Sequence, residues 1–143
     1  MSLSNIRLSK EILQLKNDII PGININFSED IFNWYATIEG PENTPYENGK
    51  FPIMLKFNTD YPLKPPSVRF LNKMYHPNIY RDGKICVDIL QSEWSPILNI
   101  RTILLSLRSM LMDPNPKSPA NREAANLFQK NYEKYCLKVK ETI

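Results

Sequence analysis

Apolar residues recur at helical spacing near the start of the chain: Leu8, Ile12, Leu15 and Ile19 share one face, while Arg7, Lys10, Glu11 and Gln14 fall on the other. This predicts an amphipathic first helix, capped by Ser2 or Ser4 and stopped by Pro21-Gly22. The period then drops to two. "GININFS" alternates Ile23, Ile25 and Phe27 with polar residues, "NWYATIE" puts Trp34, Ala36 and Ile38 on one face, and "FPIMLKF" does the same with Phe51, Ile53, Leu55 and Phe57. Pro52 cannot donate to a ladder, so it belongs near the start of its strand or on an unpaired edge. After the prolines of "DYPLKPP" force an extended chain, "SVRFL" reads as a short fourth strand. Short connections between these runs favour an antiparallel meander over parallel strands with helical crossovers.

From about Tyr75 to Pro96 neither period holds, and a long irregular stretch inside a compact domain is more often functional than idle. Helical order returns in "NIRTILLSLRSMLM", with Asn99 as cap and Ile100, Ile103, Leu104, Leu107 and Leu111 as the buried stripe. Its opposite face, Arg101, Leu105, Arg108 and Met112, is mixed and reads either as ordinary surface or as a docking face. "DPNPKSPAN" breaks that helix, and Asn121 caps a final pair of helices with Tyr132, Tyr135 and Val139 turned inward. Helices flanking a meander make an α+β fold.

Composition narrows the function classes. At 143 residues, 42% apolar and 23% charged, the chain fits one soluble globular domain spanning residues 1–143. No run of about 18 apolar residues is present, and the charged opening lacks the apolar core of a secretory signal, so a cytosolic or nuclear setting without membrane contact is expected. A net charge of +3 gives no footprint for nucleic acid. One histidine and two well-separated cysteines, Cys86 and Cys136, predict neither a metal site nor a disulfide.

The irregular stretch contains "HPNIYRDGKIC". A lone cysteine is usually packing, and Cys136, in a helix with no motif around it, reads that way. Cys86 differs because Arg81 and Lys84 lie beside it, and a thiol is already nucleophilic when a few per cent ionised. His76 is either its general base or a turn histidine bonded to nearby backbone. Asn78 offers a neutral amide donor suited to a tetrahedral oxyanion, its plainer role being that of a turn residue. No phosphate-binding glycine loop exists, so any ATP dependence belongs to another protein and no cofactor is expected.

"GPENTPYENGKF", "YPLKPPSVRF", "YHPNI", "GKICVDIL", "WSPILNI" and "DPNPKSPAN", in this order over nearly the whole chain, resemble the ubiquitin-conjugating enzymes. The resemblance implies about four helices around a four-stranded antiparallel meander, with Cys86 accepting ubiquitin from an activating enzyme as a thioester. It implies a structural role for His76 with Pro77, and for Asn78 either oxyanion stabilisation or ordering of the loop. Asp88 and Ser118 would orient the incoming lysine and help it lose its proton, with Tyr75 and Asn115 lining the same cleft. Arg7 and Lys10 would meet the activating enzyme, Leu63, Pro96 and Ile97 ubiquitin ligases, and Leu105 and Ser109 the thioester-linked ubiquitin. The implied partners are thus ubiquitin, the activating enzyme, ligases and protein substrates, met by a monomer. "SPAN" also occurs in the branch known for histone ubiquitylation and post-replication repair; Lys117 departs from that branch. Rival readings are the same chemistry on another ubiquitin-like modifier, a non-catalytic ubiquitin-binding scaffold, and a thiol hydrolase using Cys86 and His76.

Overall fold

The computed structural model describes residues 2–143. The first helix, α1, runs Leu3–Asn17, with the Ser2 hydroxyl accepting from the Asn5 amide at 3.2 Å as its cap. Four strands follow, β1 (Ile23–Asn26), β2 (Asn33–Glu39), β3 (Lys50–Lys56) and β4 (Ser67–Phe70), each paired antiparallel with the next in sequence. The register sets Trp34 opposite Leu55, Ala36 opposite Ile53 and Leu55 opposite Val68, so the alternating apolar residues all fall on one face. That face and the stripe of α2 (Ile100–Met112) form the core, with Ile38, Ile53, Leu55, Ile103, Leu104 and Leu107 fully buried. The meander and helices agree with the α+β expectation.

Pro52 is the third residue of β3, where its carbonyl accepts from the Leu71 amide at 2.9 Å. Its missing N–H would point the same way, past the end of β4, so the ladder loses little. Helices α3 (Arg122–Lys130) and α4 (Tyr132–Lys140) are capped by the side chains of Asn121 and Asn131. They are locked to the loop before β3 by a buried relay: Tyr135 donates to the Tyr46 hydroxyl at 2.7 Å, and Tyr46 donates to the Tyr75 carbonyl at 2.5 Å.

Three expectations fail in detail. Ile19 is exposed and Ile20 takes its place in the core, because α1 ends at Asn17 and the chain has left the helical period. Tyr132 opens α4 at the surface, its ring against Phe128 and Tyr135 rather than in the core. Glu11, placed on the polar face by its spacing, is only 4% exposed. Its carboxylate accepts from the Ile100 amide at 2.7 Å, from Arg7 Nε at 2.9 Å and from the Tyr61 hydroxyl, and these donors hold a charge inside the fold.

Candidate active site

The segment between β4 and α2 is built around His76-Pro77-Asn78. Pro77 keeps His76 extended, and the ring turns inward with no exposed surface. Its Nδ1 accepts from the Asn78 amide at 2.9 Å, which fixes the tautomer so that Nε2–H donates to the Met110 carbonyl of α2 at 2.8 Å. Burial pushes the imidazole pKa down to about 4, against a smaller upward pull from that carbonyl. A buried ring with both nitrogens committed has no lone pair for a thiol proton, so the general-base alternative for His76 fails on geometry.

Backbone bonds carry this rigidity to the thiol. Residues 79–85 form a tight hairpin in which Ile79 bridges Ile85, with Gly83 at its turn at φ +91°. A Cβ on Gly83 would lie 2.0 Å from the Phe70 carbonyl oxygen, so only glycine lets the hairpin seat against β4. The Cys86 amide then donates to the Asn78 carbonyl at 2.8 Å. Cys86 is half-buried and its Sγ faces the Ser118 carbonyl at 3.7 Å.

A second segment closes the rim opposite. The Asn78 side chain grips the backbone of Asn115 at both ends, Nδ2 donating to its carbonyl at 2.7 Å and Oδ1 accepting from its amide at 2.9 Å. The Pro77 carbonyl accepts from the amides of Ala120 and Asn121 at 2.7 and 3.0 Å. Residues 115–121 are thereby pinned to the His-Pro-Asn turn at both ends. Asn115 acts on this scaffold through its backbone, while its own Oδ1 accepts from the Lys117 amide at 3.1 Å.

Asn78, Cys86, Asp88, Leu105, Ser109, Asn115 and Ser118 line one open cleft of about 660 Å³. Asp88 starts a single 3₁₀ turn, Asp88–Leu90, and is exposed, as is Ser118. Tyr75 departs from the expectation that it lines this cleft. It lies in a neighbouring groove of about 910 Å³ with Arg81, Arg122, Glu123 and Lys138. Its phenol is pushed up to about 12, first by desolvation and then by the Glu123 carboxylate.

The remaining expected positions form separate surfaces. Leu63 is 76% and Ile97 86% exposed, and their two loops are joined where Trp94 Nε1 donates to the Pro62 carbonyl at 2.9 Å. Pro96 is exposed beside Ile97, and Lys10 is exposed on α1. Arg7 is more constrained than a solvated helix face requires, since it also donates to the carbonyls of Pro96 at 3.0 Å and Leu98 at 2.6 Å. Sequence reasoning missed this tie and the burial of Glu11; the only local hint was a glutamate four residues after an arginine on one helix. Among the described residues, no three His, Cys, Asp or Glu side chains cluster as metal ligands. Nor, among the described residues, is any helix long and apolar enough to cross a membrane.

The family profile described as ubiquitin-conjugating enzyme matches residues 7–143. A relative from Arabidopsis thaliana, "Ubiquitin-conjugating enzyme E2 3", is 49% identical over 138 residues, covering 96% of this chain and 92% of the relative. The Saccharomyces cerevisiae protein "Ubiquitin-conjugating enzyme E2 2" is 46% identical over 138 residues, covering 96% and 80%. One of the same name from Mycosarcoma maydis is 45% identical over 141 residues, covering 98% and 76%. With likeness of this extent across nearly the whole chain, the protein belongs to the ubiquitin-conjugating enzyme family, transferases that act in ubiquitin conjugation.

Proposed function

We propose that Cys86 is the residue that carries ubiquitin. The observation that supports this is its placement: its Sγ faces the 115–121 rim across the cleft that also holds Asn78, Asp88 and Ser118. Cys136, by contrast, packs against the core. The Cys86 thiolate attacks the activating enzyme's ubiquitin thioester, the new C–S bond forms, and the activating enzyme's thiolate leaves. A substrate lysine amine then attacks the Cys86 thioester, yielding an isopeptide and the free thiol.

Asn78 serves this second step in two ways: it orders the rim through Asn115, and Nδ2 carries a second hydrogen that Asn115 does not use and that suits a developing oxyanion. Asp88 and Ser118, exposed on the cleft, orient the arriving amine; a free lysine is almost wholly protonated at pH 7 and must lose that proton before attack. Leu105 and Ser109 share the cleft, which favours them as contacts for the carried ubiquitin. Leu63, Pro96 and Ile97 offer exposed apolar surface for a ligase, and Lys10 with the α1 end of Arg7 faces the activating enzyme. The protein works as a monomer in cytosol or nucleus, and ATP is consumed by the activating enzyme; two free cysteines suit a reducing compartment. "SPAN" supports the histone-ubiquitylation and post-replication-repair branch.

The test mixes the protein with ubiquitin, activating enzyme and ATP. A reductant-sensitive adduct is expected, becoming a reductant-resistant ester in Cys86→Ser. No adduct on a folded protein, or one that survives Cys86→Ala, overturns the assignment.

A further inference from the structure

The groove that holds Tyr75 adjoins the thiol's cleft, and the transfer chemistry leaves it unused. The two hollows share no lining residue, yet they meet along one wall. Asn78 faces the cleft and Ile79 the groove, and on the rim Ser118 faces the cleft and Ala120 the groove. The Pro77 carbonyl, accepting from the Ala120 amide at 2.7 Å, ties the two parts of that wall together. Cys86 Sγ lies 3.7 Å from the Ser118 carbonyl. Ala120 is two residues further on, at most about 7 Å of chain. The groove therefore opens roughly 10 Å from the thiol, about three residues of extended peptide.

The charges of the two hollows are opposed. In the cleft the charged side chains are Asp88 and Asp113. In the groove the acids are largely engaged: Glu123 pairs with Lys138 at 2.6 Å, Glu141 acts on the same ammonium, and Asp82 accepts from the Lys84 amide at 3.0 Å. Lys73, Arg81 and Arg122 line the groove, are exposed, and take part in none of the ion pairs among the described residues. Three free cations on a concave wall favour an anionic occupant, and the negative cleft across the wall favours a cation.

We propose that this groove docks the acceptor, taking an acidic stretch of substrate polypeptide that flanks the lysine to be modified. The inference rests on the reading of Cys86 as the thioester carrier. With the carried ubiquitin over Leu105 and Ser109, the α2 side of the cleft is occupied, and the acceptor reaches Sγ over the opposite wall. Its lysine enters between Asp88 and Ser118, while carboxylates about three to five residues away meet Lys73, Arg81 and Arg122. A lysine held in this way meets the thioester at raised effective concentration, so the residues around it enter the rate.

The enzyme is charged with ubiquitin, activating enzyme and ATP, activation is stopped with a magnesium chelator, and loss of the reductant-sensitive band is followed with three acceptors. These are an end-blocked peptide with one lysine and glutamates around it at the proposed spacing, the same peptide with glutamines in their place, and free lysine. Below saturation the glutamate peptide should discharge the thioester about fivefold faster than the glutamine peptide, as two exposed ion pairs allow, and high salt should shrink the margin. Lys73→Glu combined with Arg122→Glu should abolish the preference and leave discharge to free lysine at the wild-type rate. Position 122 lies in the first turn of α3, where the helix dipole favours an acid, so that change suits the fold. Lys73→Arg combined with Arg122→Lys should keep the preference. Equal rates for the two peptides, a preference that survives the double reversal, or a loss shared by free lysine overturns this inference alone, since the thioester has formed. No thioester at all overturns the Cys86 reading with it.

Discussion

At the scale of single residues, the site depends on Asn78 facing two ways. Its amide holds Asn115 by two hydrogen bonds, so Asn78→Ala leaves a backbone N–H and C=O without their partners, at a cost of about 1–3 kcal/mol of stability. The same change removes the donor suited to the oxyanion of aminolysis, worth on the order of 10²-fold in rate. Single-turnover assays of the folded variant should show charging of Cys86 nearly intact and discharge to lysine slowed. Equal losses in the two steps contradict the oxyanion role and leave only the clamp. Cys86, Asn78 and His76 were all legible in the sequence because they share one short irregular stretch. What could not be read was direction: Tyr75 is adjacent to His76, yet its side chain lies in the other groove, since successive side chains of extended backbone point opposite ways.

Among the elements, the strands were the most legible, because a one-residue slip would have turned Trp34, Ala36 and Ile38 to solvent. Helix α1 was the least. Periodicity sorts charged from apolar positions and carries no term for a charge whose partners come from elsewhere in the chain, so Glu11 was assigned to water. In the fold its carboxylate caps the first amide of α2 and fixes Arg7, which in turn holds the Pro96 and Leu98 carbonyls. The helix face proposed to meet the activating enzyme is thus bolted to a loop proposed to meet ligases. Glu11→Ala should lower unfolding stability by about 3 kcal/mol, the low end for a broken buried pair because Arg7 keeps some exposure. Urea titration should show a lower midpoint with an unchanged slope, and a midpoint equal to wild type would mean that water replaces the carboxylate without loss.

For the whole molecule, the meander followed from short connections, while the joining of distant segments did not. The 115–121 rim reaches back to Pro77 and Asn78 across nearly forty residues, and no local pattern encodes such a closure. The turn to which the rim is pinned also holds His76, buried against α2, and the fold excludes its charged form. An imidazole with an ordinary pKa of about 6.5 in the unfolded chain is held at about 4 in the fold. As pH falls from 6.5 towards 4 the unfolded chain takes up a proton that the native state refuses, so stability is full above this window and drops by about 3 kcal/mol across it. Asp30 and Glu123, held below the carboxylate range by hydrogen bonds from Asn33 and Lys138, lose their contributions only at lower pH. Urea midpoints measured from pH 7 to 4.5 should therefore decline in the wild type and flatten in His76→Gln; a flat wild-type profile would contradict the buried neutral ring.

The double anchorage of residues 115–121 also determines what kind of opening the thiol has. A segment pinned at Asn115 and again at Ala120 and Asn121 cannot swing as a flap, so it forms one side of a fixed aperture. Its width is set when the chain folds, not each time a cargo arrives. A slender, extended chain end that reaches Sγ must therefore take the course that the rim and the α2 side of the cleft leave open, because the rim does not move aside for it.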